Sequence, residues 1–277
     1  MLLGVFAALS LIVGIAVCIG AGAFAGLSWL WMLPLTAIGC LLVLVLAAFV
    51  FLLILCKRVD QEVPQEDDDP LYRKVTDLYI QSALPVLQIS IRKTGMEKMP
   101  KDGRFLLVCN HCSLFDPIGL LACMRQYQLA FVSKRENKSL FVIGPMMHKI
   151  LCQPINREND REALKTILRC IQILKEDKAS VAVFPEGGIL SEDGKLHHFR
   201  PGVFKIAQKA NVPIVVCTMK NTLNVIPNLL KLKPSRVQMD VLAVIPPEEI
   251  KGITTVDIAE RCYQLMAANL GPDLIAE

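Results

Sequence analysis

From Met1 to Cys56 the chain carries no Asp, Glu, Lys or Arg, so all 30 basic and 26 acidic side chains of its 277 residues lie beyond that point. Leu2–Gly26 exceeds the roughly 20 apolar residues needed to cross a bilayer core, and Pro34–Cys56 supplies a second such run. Trp29 and Trp31 fall between the two runs, where interfacial aromatics belong, and Lys57-Arg58 ends the second. Residues 1–56 are therefore expected to form a two-helix transmembrane hairpin. A cleaved signal peptide is the rival, with Ala21-Gly22-Ala23 as the cleavage site, but a basic n-region is missing and a second span follows at once. Two spans return the chain to its starting side. Lys57-Arg58, the only basic residues flanking either span, assign that side to the cytoplasm. A hairpin dipping into one leaflet has the same sidedness.

The rest of the sequence is ordinary and mildly basic. A net charge of +4 suits a surface facing anionic lipid or phosphate substrates. No lysine-arginine stripe with interleaved aromatics is present, which argues against nucleic acid as a partner. The ten cysteines follow no disulfide spacing and fit a reducing compartment. Cys109 and Cys112 form a CxxC around His111, but no second pair accompanies them, so they read as buried thiols and not as a metal site. No dinucleotide loop and no metal site are expected.

Residues 57–92 read as an acidic linker, Asp60–Pro70, and an amphipathic helix carrying Leu71, Val75, Leu78, Ser82 and Leu84. The globular domain is expected over 93–277. Strands are predicted at Arg104–Cys109, Leu129–Val132, Val181–Phe184, Val212–Thr218 and Val237–Ile245. Helices are predicted at Asp160–Lys175, with Ala163, Leu164, Ile167, Leu168, Ile171 and Leu174 on its apolar face, and at Pro201–Ala210 and Thr255–Asn269. This alternation implies an α/β fold with a mostly parallel sheet flanked by helices.

Chemistry concentrates where predicted strands end. Asn110-His111-Cys112-Ser113-Leu114-Phe115-Asp116 follows the first strand of that domain. Histidine is the side chain able to change its charge near neutral pH, and Asp116 is placed to hold the imidazole of His111 in one tautomer; such a pair can take a proton from an alcohol attacking a carbonyl carbon. The plainer account makes Asp116 a helix N-cap, with Pro117 at the first helical position. Phe184-Pro185-Glu186-Gly187-Gly188 follows another strand, and its glycines let a backbone approach a ligand and offer amide donors. Otherwise it is a glycine turn with an exposed Glu. Between the two blocks, Pro154-Ile155-Asn156-Arg157 ends on an arginine suited to a phosphate, or simply exposed.

Taken in order, these blocks resemble the glycerolipid acyltransferase family, most closely its lysophosphatidate (1-acylglycerol-3-phosphate) acyltransferases. Asn110–Asp116 matches the NHxxxxD block, Ser133-Lys134-Arg135-Glu136 the AKxE segment, Ile155-Asn156-Arg157 the I-D/N-R block and Phe184-Pro185-Glu186-Gly187 the FPEG block. Phe199-Arg200-Pro201-Gly202, with Val212-Pro213-Ile214-Val215, is similar to the last segment. Four blocks in family order are a strong signal, although each alone is weak. The resemblance implies acyl transfer from acyl-CoA or acyl carrier protein to a lysophospholipid hydroxyl, without an acyl-enzyme and with no cofactor. It implies His111 as base and Asp116 as its orienting partner. Asn110, Lys134, Arg157, Phe184, Pro185, Glu186, Gly187, Gly188 and Arg200 are its substrate-binding residues, with the bilayer, the lysophospholipid and the acyl donor as partners. Two departures stand out. Gly188-Ile189 follow PEG where the family has Thr or Ser and then Arg, and Leu151-Cys152-Gln153-Pro154 lacks an expected glycine. The first departure leaves the acceptor open, so another lysolipid or an acceptor without phosphate is the alternative. Other classes are a serine or cysteine hydrolase using Ser113 or Cys112, for which no GxSxG elbow exists, and a non-catalytic lipid-binding protein.

Overall fold

The computed structural model describes residues 2–190 and 193–276. The chain divides into two compact units, Met1–Asp60 and Gln61–Glu277. The first is a pair of apolar helices, α1 (Leu2–Gly20) and α2 (Trp29–Lys57), each long and apolar enough to cross a membrane. Ser10, Gly14 and Cys18 are the buried residues of α1 and repeat every fourth position, so small side chains let α2 come close. A Cβ on Gly14 would stand 3.0 Å from Leu33 Cδ1. The first helix is shorter than the predicted Leu2–Gly26. Gly22, at φ +65°, turns the chain, and Ala23–Ala25 form a 3₁₀ turn instead of continuing it. Trp29 and Trp31 lie within the first turn of α2 and not in a connecting loop.

In the second unit a seven-stranded sheet runs in the order β1-β7-β6-β2-β5-β3-β4. The strands are β1 (Ile89–Thr94), β2 (Leu106–Cys109), β3 (Leu129–Lys134), β4 (Gln153–Ile155), β5 (Ser180–Val183), β6 (Ile214–Lys220) and β7 (Ser235–Ile245). All neighbours are parallel except β6 and β7. Its helices are α3 (Pro70–Val86), α4 (Asp116–Cys123), α5 (Ile143–Lys149), α6 (Asp160–Lys175), α7 (Lys205–Ala210), α8 (Val225–Leu230), α9 (Pro247–Ile250) and α10 (Thr255–Leu270). The α/β architecture is the expected one. β2 and β5 are buried along their whole length, which is why they read as unbroken apolar runs without alternation. Leu106, Val108, Val181, Val183, Ile214 and Val216 form one core with Ile173 of α6, Ile206 of α7 and Met266 of α10. Each such side chain contributes about 1.5–3 kcal/mol by leaving water.

Several expectations are corrected by packing. Leu164 and Leu168, placed on the inner face of α6 by spacing, are both 56% exposed; Leu174 of that face is buried as expected, joined by Cys170 and Ile173, which the spacing did not select. The acidic stretch after Asp60 is no free linker. Asp68 accepts from both Nε and Nη2 of Arg73, whose Nη1 reaches Leu129 O at 2.8 Å and whose Nη2 reaches Ile150 O at 3.2 Å. Arg169 holds Gln65 O and Glu66, and Lys178 lies 3.3 Å from Asp67. These bonds fasten residues 61–69 to the globular unit, and a boundary at 92/93 would cut β1 in two. The predicted cap does form, since Asp69 Oδ1 accepts from Leu71 N and Tyr72 N, and α3 buries Tyr72 and Val75.

After β1 the chain turns on Gly95, at φ +70°, where a Cβ would lie 2.1 Å from the backbone oxygen of Val241. Neither backbone can yield, so Gly95→Ala should destabilise the fold by about 3 kcal/mol or more. A melting temperature unchanged from the parent protein would contradict this.

Candidate active site

β2, β3, β4, β5 and β6 run in one direction, so the loops after their carboxyl ends share one edge of the sheet, where α/β proteins bind ligands. Asn110 continues β2 with its side chain: Nδ2 donates to Met219 O at 3.0 Å and Oδ1 accepts Met219 N–H at 2.8 Å. It is 3% exposed, and this pairing commits its carboxamide to clamping the next loop to β6.

That clamp delivers His111. Its ring stacks on Phe184, with centroids 4.1 Å apart and planes at 18°, and Phe131 lies behind Phe184 at 6.1 Å. Nδ1 faces Asp116 Oδ2 at 2.9 Å, and the same oxygen accepts Cys112 N–H and Ser113 N–H at 2.8 Å each. An oxygen receiving two backbone donors can only accept from the ring, which assigns the proton to Nδ1 and leaves Nε2 with a free lone pair. Asp116 is fully buried, and its Oδ1 has no partner among the described residues. It is not the helix N-cap: α4 starts on it, the cap position is Phe115, and its carboxylate reaches back to the loop that carries the imidazole.

Glu186 enters from β5, 2% exposed. Oε1 accepts the backbone N–H of His111 at 2.7 Å and Oε2 that of His197 at 3.0 Å, so one carboxyl group ties the His111 loop to the segment before Arg200. That segment is pinned in turn by the C-terminal residues, through Leu196 N to Leu274 O at 2.8 Å and Ala276 N to Leu196 O at 3.0 Å. Burial pushes the Glu186 carboxyl up to about 7, against the pull of its two N–H donors and with help from the charge of Asp116. A carboxyl raised in the folded state stabilises below its unfolded value near 4.5, and that contribution is lost as pH rises toward 7. Glu186→Gln, which cannot ionise, should therefore gain stability relative to the parent by about 3 kcal/mol between pH 4.5 and 8. Melting curves across that range test this, and a difference independent of pH would refute it.

Two guanidinium groups lie over the turn that follows. A Cβ on Gly187 (φ +91°) would stand 2.7 Å from Arg200 Nε, and one on Gly188 would stand 3.0 Å from Arg157 Nη1. Arg200 also donates its backbone N–H to Pro185 O at 2.8 Å. Partial burial, then the like charge of Arg200, lower the Arg157 pKa from its ordinary value, while Glu136 opposes them. Neither guanidinium forms a hydrogen bond or ion pair among the described residues. Two unneutralised cations side by side suit an anion. Lys134 lies at the end of β3, 62% exposed and 3.5 Å from Glu136, so it is a rim residue already partnered.

Among the described residues no group of three His, Cys, Asp or Glu side chains is placed to hold a metal ion. Burial pushes the Cys112 thiol up to about 12, and its sulfur meets Thr222 Oγ1 at 3.1 Å. Ser113 Oγ accepts the Phe115 N–H and is buried. Sequence reasoning did not foresee Met219 or the His197 N–H. Both act through backbone atoms, which every residue has, so side-chain identity carried no signal.

The fold and site define an α/β protein with a buried carboxylate orienting an imidazole beside two arginines on an open sheet edge. The model of the acyltransferase family matches residues 90–220, just under half of the chain. It is 31% identical over 197 residues to a 1-acyl-sn-glycerol-3-phosphate acyltransferase of Chlamydomonas reinhardtii, covering 70% of this chain and 56% of that protein. With the enzyme of that name from Bacillus subtilis it shares 32% identity over 129 residues, 47% of this chain and 62% of the relative. The chain thus spans less than two thirds of the length of these relatives. The crystal structure of the 1-acyl-sn-glycerophosphate (LPA) acyltransferase PlsC from Thermotoga maritima superposes with a TM-score of 0.60 at 23% identity, covering 79% of this chain and 87% of that one, which establishes a common fold.

Proposed function

We propose that the protein transfers a fatty acyl group from an acyl thioester, acyl-CoA or acyl carrier protein, to the free hydroxyl of a lysophospholipid. Lysophosphatidate, the acceptor in its relatives' names, is the preferred one. The observation that carries this reading is the His111–Asp116 contact at 2.9 Å, with the imidazole stacked on Phe184, the first residue of the Phe184–Gly188 turn. Nε2 takes the hydroxyl proton as the oxygen attacks the thioester carbonyl. The charge of Asp116 steadies the imidazolium that results, and the same proton then serves the leaving thiolate. General-base catalysis contributes typically about 10²–10⁴-fold, so positioning and stabilisation of the oxyanion supply the remainder. Arg157 and Arg200 take the acceptor phosphate, with Arg200 filling the place of the arginine missing after Gly188. The apolar helix pair holds the unit at the membrane, and Lys57-Arg58 after the second helix support a cytoplasmic orientation.

A hydrolase using Ser113 or Cys112 is disfavoured because both side chains are buried and engaged elsewhere, the thiol with a strongly raised pKa. The deciding experiment incubates the full chain with labelled acyl donor and a panel of lysolipids, including acceptors without phosphate. The Cys112→Ala/Ser113→Ala double variant should keep much of the transfer rate. Thioester hydrolysis without transfer to any acceptor would overturn the assignment.

A further inference from the structure

The unit of residues 61–277 carries an apolar and basic patch that neither its core nor the proposed reaction uses. Leu230 and Leu232 are 84% and 87% exposed, more than any other large apolar side chain among the described residues. The turn bearing them is closed, not frayed: Lys233 N donates to Asn228 O at 2.9 Å and Asn228 Nδ2 to Ser235 Oγ at 3.1 Å. Ile226 of α8 is 42% exposed in the same segment. Ser235 N donates to Gln88 O at 3.0 Å, which brings the end of α3 alongside, with Val86 60% and Leu87 41% exposed. Lys231, Lys233 and Arg236 interleave with these side chains, and none of the three forms an ion pair among the described residues. Because Lys220 at the end of β6 pairs with Gln238 near the start of β7, the patch sits at the same sheet edge as His111.

We propose that Val86, Leu87, Ile226, Leu230 and Leu232, with Lys231, Lys233 and Arg236, form a face that docks on an anionic lipid bilayer. Leucine interleaved with unpaired lysine is the composition of an interfacial membrane contact, where apolar groups enter between headgroups and cations meet lipid phosphates. The buried centre of a protein–protein interface, by contrast, is depleted in lysine. The face belongs wholly to this unit and supplies a lipid contact separate from the two apolar helices. It does not depend on the acyl-transfer assignment.

The test uses the full chain with Trp29→Phe and Trp31→Phe, so that an added tryptophan is the sole reporter. Leu232→Trp, reconstituted in vesicles of brominated phosphatidylcholine with phosphatidylglycerol, should lose emission to the bromines and lose less when phosphatidylglycerol is omitted. Val256→Trp, in the first turn of α10 and 61% exposed, should keep its emission. Adding Lys231→Glu and Lys233→Glu to the Leu232→Trp protein should restore much of its emission. Absence of quenching in the Leu232→Trp protein, equal quenching in the Leu232→Trp and Val256→Trp proteins, or indifference to charge reversal would each overturn the proposal. Shielding of the Leu232→Trp reporter from both bromolipid and aqueous iodide would instead indicate a protein partner or a second copy, and would overturn it as well.

Discussion

His111→Ala should lower acyl transfer by about 10²–10⁴-fold, with unchanged circular dichroism. The ring lies at the sheet edge on Phe184 and not in the core, so its removal deletes a base without opening the fold. Asp116→Asn tests the other half of the pair. Oδ2 receives three N–H groups, and an amide supplies no charge to steady an imidazolium; turned the other way, it presents donors to donors. Its loss should approach that of His111→Ala. The double variant should be scarcely worse than the poorer single one, because groups acting as a unit fail together. Full activity in His111→Ala would end the general-base assignment, and losses that multiply would show two independent roles.

The second large effect concerns the acceptor. Arg157→Ala or Arg200→Ala should each reduce kcat/KM for a phosphate-bearing lysolipid roughly 10- to 100-fold, from charge-assisted hydrogen bonds worth about 1.5–3 kcal/mol. Acceptors without phosphate should change only a few-fold. Arg157→Lys should recover only part of the loss, because an ammonium cannot make the planar two-pronged contact of a guanidinium. Equal losses on both acceptor types would assign the arginines to positioning of the turn and leave the phosphate without a ligand.

Much of this is legible in the sequence, for identifiable reasons. β2, β5 and β6 are buried on both faces and declare themselves as short apolar runs, and α6 begins and ends where its cap and periodicity place it. β1 escapes a sequence reading because Ile89-Ser90-Ile91-Arg92-Lys93-Thr94 is an edge strand with charged side chains turned outward. β4 is only three residues long. The exposure of Leu164 and Leu168 is illegible, since spacing along one helix does not say which face finds a partner. The acidic segment misleads for the opposite reason: its carboxylates look solvated until Arg73, Arg169 and Lys178 arrive from elsewhere in the chain.

The sequence by itself determined the two apolar helices, the α/β class, and the residue types able to move a proton and bind an anion, because these depend on composition, local period and side-chain chemistry. Only the tertiary structure decided that Asp116 serves His111 and not its own helix, that Glu186 is a buried strut, and that Arg157 and Arg200 converge on two glycines. Those outcomes depend on parallel strands distant in sequence ending at one edge, and on backbone donors that no side chain announces.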